Sequence, residues 1–114
     1  MAAMREPTYF ILAALLDGPA HGYGIVQQAR ELSNGRVRLT AGTLYGALER
    51  LAAEGLVEGV REEVVNGRRR RYFRLTGAGE AALGQEVERL QSSAEAVRGR
   101  LWSRRRPAAR GASA

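Results

Sequence analysis

Six apolar residues in the last third of the chain recur at spacings of 4, 3, 4, 3 and 4: Leu83, Val87, Leu90, Ala94, Val97 and Leu101. Such spacing draws one narrow stripe down one side of a helix. The other faces are polar, with Gln85, Glu86, Glu88, Arg89, Gln91, Ser92 and Ser93. The stripe must be covered, either by the chain's own domain or by another chain. The polarity around it favours the second, a dimerisation helix over residues 77–102.

A second helix is expected over residues 40–56, TAGTLYGALERLAAEGL. Leu44, Leu48 and Leu51 line one face, and Ala41, Thr43, Tyr45, Ala47 and Arg50 fall on the others. Thr40 is a natural N-cap, because its hydroxyl can accept from an orphan backbone N–H. Gly55 is a natural stop, since glycine enters the left-handed conformation without strain. The outer face is small at its start and carries one hydroxyl, one phenol and one guanidinium. A helix of this kind can lie in a DNA major groove; the plainer alternative is an amphipathic core helix.

The surroundings decide between these readings. The 114 residues suffice for one domain, and the formal net charge is +6. Such a balance points to a polyanion, a nucleic acid or an anionic membrane surface. All 18 basic residues are Arg, and four of them (Arg104, Arg105, Arg106 and Arg110) lie in the last twelve positions. The rest of the chain has 14 Arg against 12 acids, so local clustering carries the reading. With no Cys, one His and one Asp, the chain offers no disulfide, no thiolate metal site and no base–nucleophile constellation. An enzyme, a metal site and a cofactor are therefore not expected. The longest apolar run, residues 9–16, is too short to span a bilayer, and the acidic, proline-containing start does not read as a signal peptide. A cytoplasmic protein is the expectation. The tail SRRRPAARGASA has no apolar face to lay on a membrane.

Taken in order, Pro7 fits the first turn of an apolar helix over residues 8–17, which Asp17-Gly18-Pro19 ends. A helix apolar nearly all round is either central or shared between subunits. The next helix runs from near His21 to Leu32 or Ser33, with Ile25, Val26, Ala29 and Leu32 as its core face; Gly22 and Gly24 flank Tyr23 and allow close backbone approach. Ser33-Asn34-Gly35 turns the chain towards the helix at 40–56, completing a helix-turn-helix pattern with a somewhat long connection. Asn66-Gly67 then joins two strands as a β-hairpin. Arg68, Arg69, Arg70 and Arg71 stand consecutively at its tip, partly offset by Glu62 and Glu63. An arginine run is commonly just a solvated surface, but at a hairpin tip behind a helix-turn-helix it points to nucleic acid. Thr76 can cap the last helix, and residues 103–114 read as a disordered basic tail.

This order (helix, helix, recognition helix, two-stranded wing, long helix) resembles the PadR family of winged-helix transcriptional regulators. The resemblance rests on HGYGI from His21, GTLYGAL from Gly42 followed by ERL, EGLV from Glu54, NGRRRRYFRLT from Asn66, and Gly79 with Leu83. It covers about residues 8–90. It implies a mainly α fold with a small β-wing, a winged helix-turn-helix over residues 7–76 and a C-terminal dimerisation helix. It also implies a homodimer that binds double-stranded DNA at a pseudo-palindromic operator and is released by a small-molecule effector. Thr43 and Tyr45 match positions facing DNA, with Ala41, Gly42 and Ala47 lining the approach, beside Thr40 and Arg50. Tyr23 matches a position near the phosphate backbone, and Arg68 to Arg71 match the wing. Gly46 departs from the family's common Pro. Trp102 and Tyr9 are the aromatic candidates for an effector site; the alternative for Trp102 is packing against the end of a partner helix. A winged-helix module that binds another protein rather than DNA would share most of these features.

Overall fold

The structure, a computed structural model, describes residues 3–105. Four helices and three strands follow in the order α1 (Glu6–Ala13), β1 (Ala20–His21), α2 (Gly22–Leu32), α3 (Ala41–Ala53), β2 (Val57–Val65), β3 (Arg68–Leu75) and α4 (Gly77–Arg105). The fold is mainly helical with one small antiparallel sheet, ordered β1-β3-β2. Ile11, Leu12, Leu15, Ile25, Leu44, Leu48, Leu51, Val57, Phe73 and Leu83 form a single core, to which α1 contributes Ile11 and Leu12.

The expected caps and turns are in place. Thr40 is extended (φ −82°, ψ 161°), and its hydroxyl accepts from the Thr43 N–H at 3.2 Å. Gly55 follows the last turn of α3 at φ +78°. Asn66 and Gly67 both take positive φ (51° and 76°), as the two central residues of a tight hairpin turn require. Thr76 caps α4 by accepting from the Gly79 N–H at 3.0 Å, while its own hydroxyl donates to the Gly55 carbonyl at 2.6 Å. One side chain therefore locks the end of α3 to the start of α4. Gly79 is a matter of size: a Cβ there would overlap the Leu56 carbonyl oxygen, so no larger residue lets α4 sit this close.

Several expectations need correcting. The first helix is shorter than residues 8–17. Beyond Ala13 the chain tightens, with Leu15, Leu16 and Gly18 N–H groups donating to carbonyls three residues back. Leu32 is 48% exposed and leaves the core face of α2. Ser33 is buried in its place, donating to the Arg30 carbonyl and accepting from the Val37 N–H. The strand β1 is not evident in the sequence, because Ala20 and His21 alone carry no strand pattern; they pair with Phe73 and Tyr72 of β3. Residues 103–105 belong to α4 rather than to a tail, where Arg104 and Arg105 suit the negative end of the helix dipole. The rest of that expected tail lies outside the described residues.

Leu83 differs from the rest of its stripe, being 4% exposed and part of the chain's own core. Glu86 is covered as well, and its carboxylate takes both Nε and Nη of Arg89. From residue 87 to residue 105 every position is exposed. That length corresponds to about 28 Å of helix. Val87, Leu90, Val97, Leu101 and Trp102 all lie uncovered along it.

Candidate nucleic-acid interface

His21 caps α2, its imidazole Nδ1 accepting from the Gly24 N–H at 3.5 Å. Tyr23 follows, 68% exposed, its phenol accepting from the Gln27 side chain. On α3, Leu44, Leu48 and Leu51 are buried, which turns Thr40, Ala41, Gly42, Thr43, Tyr45 and Gly46 to solvent. The Thr40 hydroxyl donates to that of Thr43, leaving the Thr43 hydroxyl proton free to donate outward. Ala47 is half-buried behind this surface. Arg50 points elsewhere: its guanidinium donates to the Thr8 hydroxyl of α1 at 3.1 Å.

Tyr45 ties the helices to the sheet. Its ring lies 6.4 Å from that of Phe73 on β3, and its hydroxyl fills the space that a Cβ on Gly22 would need, at 2.5 Å. Gly22 is thus small so that the phenol can cross from α3 to α2. The sequence names Gly22 for close approach, but not the side chain that approaches it.

The two faces of the wing differ in how their charge is met. On one face Arg61 stacks over Tyr72 at 4.2 Å and pairs with Glu63, the Tyr72 hydroxyl donates to Glu63, and Arg74 pairs with Glu58 at 2.6 Å. On the other, Arg69, Arg71 and Phe73 follow one another at alternate positions of β3. Arg71 lies over Phe73 at 5.1 Å. Among the described residues, none of Arg68, Arg69, Arg70 and Arg71 is in an ion pair. The hairpin also carries a bulge, because Gly59 pairs with Phe73 and Arg61 with Tyr72, which leaves Val60 unpaired between them.

The remaining candidates are more scattered. Tyr9 packs edge-on against Phe10 within α1, and Trp102 stands 65% exposed near the end of α4. No ring contact joins them among the described residues. No group of three or more His, Asp or Glu side chains among those residues is placed for a metal ion, and no helix is long and apolar enough to cross a membrane.

A capped reading helix, a preceding helix at its back and a basic hairpin on the same sheet define a winged helix-turn-helix protein. Residues 11–85 match the family model described as the transcriptional regulator PadR-like family. The chain belongs to this family of transcriptional regulators. It is 42% identical to the transcriptional regulator Rv3488 of Mycobacterium tuberculosis over 89 residues, which span 78% of this chain and 79% of that one. Its fold is similar to that of a PadR family transcription regulator from Clostridium difficile R20291, with a TM-score of 0.71 and 26% identity over 85% of this chain and 99% of the other. It also shares the fold of Bacillus subtilis PadR, solved in complex with operator DNA (TM-score 0.63, 24% identity, 73% of this chain and 48% of that one).

Proposed function

We propose that this regulator is a homodimeric, sequence-specific DNA-binding repressor of the cytoplasm. The observation that carries the DNA reading is the exposed N-terminus of α3, with Tyr23 exposed on α2 and, beside Tyr45, the wing arginines Arg69 and Arg71, which are in no ion pair. Thr40 to Thr43 and Tyr45 enter the major groove, and the arginines of the wing meet the neighbouring backbone and minor groove. The fold's likeness to a protein solved on operator DNA supports a duplex as the partner. Few of the α3 side chains can grip a base with two hydrogen bonds. Arg50, held by Thr8, is drawn off this face. Phosphate contacts therefore supply most of the affinity, and it falls steeply with salt.

The open stretch of α4 supports the dimer. About 28 Å of helix with Val87, Leu90, Ala94, Val97 and Leu101 along one side has no cover in the single chain. A second copy covers it and sets two reading helices about one turn of DNA apart, which calls for a pseudo-palindromic operator near the protein's own or a neighbouring gene. A small-molecule effector that binds near Trp102 or Tyr9 and changes this spacing would release the DNA.

The test is footprinting of the purified protein on the promoter region beside its own gene, in excess competitor DNA, with sedimentation on the same sample. Protection of an inverted repeat by a dimer is the expected result. A monomer that protects nothing would overturn the proposal, and a dimer that binds no duplex would favour a protein-interaction module.

A further inference from the structure

Between the outer side of α3 and the inner face of the wing lies an open cleft of about 400 Å³. Tyr45 and Glu49 stand on its helical side, and Arg69, Arg71 and Phe73 on its sheet side. Gly59 opposes Phe73 across the strands, so nothing bulky fills the floor, and the Arg71 guanidinium lies 3.5 Å from where a Cβ on Gly59 would be. Arg69 and Arg71 alternate along β3 and point to the same side. Glu62 faces Arg71 across the hairpin yet makes no ion pair with it. Arg69 and Arg71 both line this open space and neither is in an ion pair; on the opposite face Arg61 and Arg74 are matched by carboxylates, and Arg68 and Arg70 are not.

We infer that this cleft is a phosphate site in which Arg69 and Arg71 hold one oxyanion. Arginine forks suit phosphate oxygens, and two on one strand face can share a single phosphate. Tyr45, 39% exposed, lines the helical rim of the cleft, while its hydroxyl is seated against Gly22. The source follows from the place. A duplex strand that runs from a major groove filled by α3 to a minor groove met by the wing must cross between them, over this cleft. This deepens the DNA-binding reading above and rests on it: the arginine run divides by parity, with Arg69 and Arg71 on one backbone phosphate and Arg68 and Arg70 on the other side of the wing. Glu49 has a definite part, since its carboxylate at the same cleft weakens the hold on any anion and limits indiscriminate backbone binding. A free phosphate monoester, such as that of a nucleotide, has the same chemistry and is the other source.

The experiment walks a single neutral methylphosphonate linkage along both strands of an operator half-site. It measures wild type, the double variant R69A/R71A, the double variant R68A/R70A and E49Q at several salt concentrations, with thermal melting as the fold control. On the unmodified duplex R69A/R71A should lose roughly tenfold in affinity, and the log–log salt slope should fall by about 1. That loss should vanish at one linkage only, and R68A/R70A should retain its own loss there. E49Q should bind a few-fold tighter, and not at that linkage. Equal loss by R69A/R71A on every modified duplex would overturn the site while leaving DNA binding intact. The second arm titrates inorganic phosphate and a nucleoside 5′-monophosphate into DNA-free protein and follows the arginine Nε–H signals by NMR. A saturable shift of Arg69 and Arg71 assigns the site to free phosphate as well. No shift, with the linkage effect present, assigns it to the strand alone. Neither effect overturns the proposal, and failure of the wild type to bind any duplex marks instead the failure of the DNA-binding reading.

Discussion

The hydroxyl of Tyr45 sits 2.5 Å from where a Cβ on Gly22 would be, so the phenol of the third helix is seated against the backbone of the second. Gly22→Ala should move the phenol without breaking the core, because the clash is with the far end of a side chain. Alanine is also the better helix former by up to about 1 kcal/mol. Melting should change by no more than that, while affinity for a specific duplex drops about tenfold, close to 1.4 kcal/mol. Fluorescence anisotropy and a thermal melt of the same variant check both halves.

Gly79 makes the opposite prediction. Its neighbour is the Leu56 backbone carbonyl, which has no rotamer to yield. Gly79→Ala should cost about 1–3 kcal/mol by overpacking, read as a lower urea midpoint at unchanged slope. An unaltered midpoint would show that α4 can shift away from α3 at no cost.

Gly46 offers a third glycine test with the reverse sign. A Cβ at this exposed position of α3 meets nothing within 4 Å. Gly46→Ala should therefore stabilise the protein by up to about 1 kcal/mol. A variant that melts higher but binds DNA more weakly would show that the bare backbone is there for the duplex.

Leu83 and Val97 share one stripe but not one role. Leu83→Ala should cost about 2–5 kcal/mol within each chain, as core truncations do. Val97→Asp changes a residue 58% exposed in the single chain. Sedimentation should show Val97→Asp weakening self-association at preserved helicity, whereas Leu83→Ala lowers stability at every concentration. If Val97→Asp sediments as wild type does, the stripe is not the contact between copies.

Acid should loosen the base of α4. The hydrogen bonds from Arg89 are the main cause holding the Glu86 carboxyl below the ordinary 4.5, helped by that guanidinium's charge and a backbone bond from Met4 and opposed by burial. Glu6 is lowered likewise through its hydrogen bonds with Arg36. The folded state therefore releases these protons more readily than the unfolded chain. Their stabilising effect is whole above 4.5 and is lost as pH falls through the lowered folded values. Glu86→Gln should flatten the fall in melting temperature through the acid range and leave its shape near neutrality unchanged.

Much of this was legible in the sequence wherever a local rule decides. Thr40, Gly55, Asn66-Gly67 and Thr76 act through their own backbone neighbours, and each behaves as its residue type dictates. Residues whose partners are distant in sequence were not legible. Ala20 and His21 become a strand only because β3 lies beside them. Leu32 yields to Ser33 because the turn after α2 needs a buried hydroxyl for the Val37 N–H. The hydrogen bond from Arg50 to Thr8, 42 positions away, is of the same kind. The division of the arginine run is readable as alternation along a strand, but the bulge at Val60, which sets Arg61 opposite Tyr72 and Glu63 opposite Arg70, is not.

The short strand at Ala20–His21 has one more effect. It is joined to the strand that carries the arginines, and His21 meets Tyr72 edge-on at 5.3 Å. The entrance to the second helix and the base of the hairpin are thus parts of one sheet, joined through Phe73 and Tyr72. A duplex that engages both meets one sheet at two places, so stretches that bend easily to reach them gain an advantage even where no side chain touches a base.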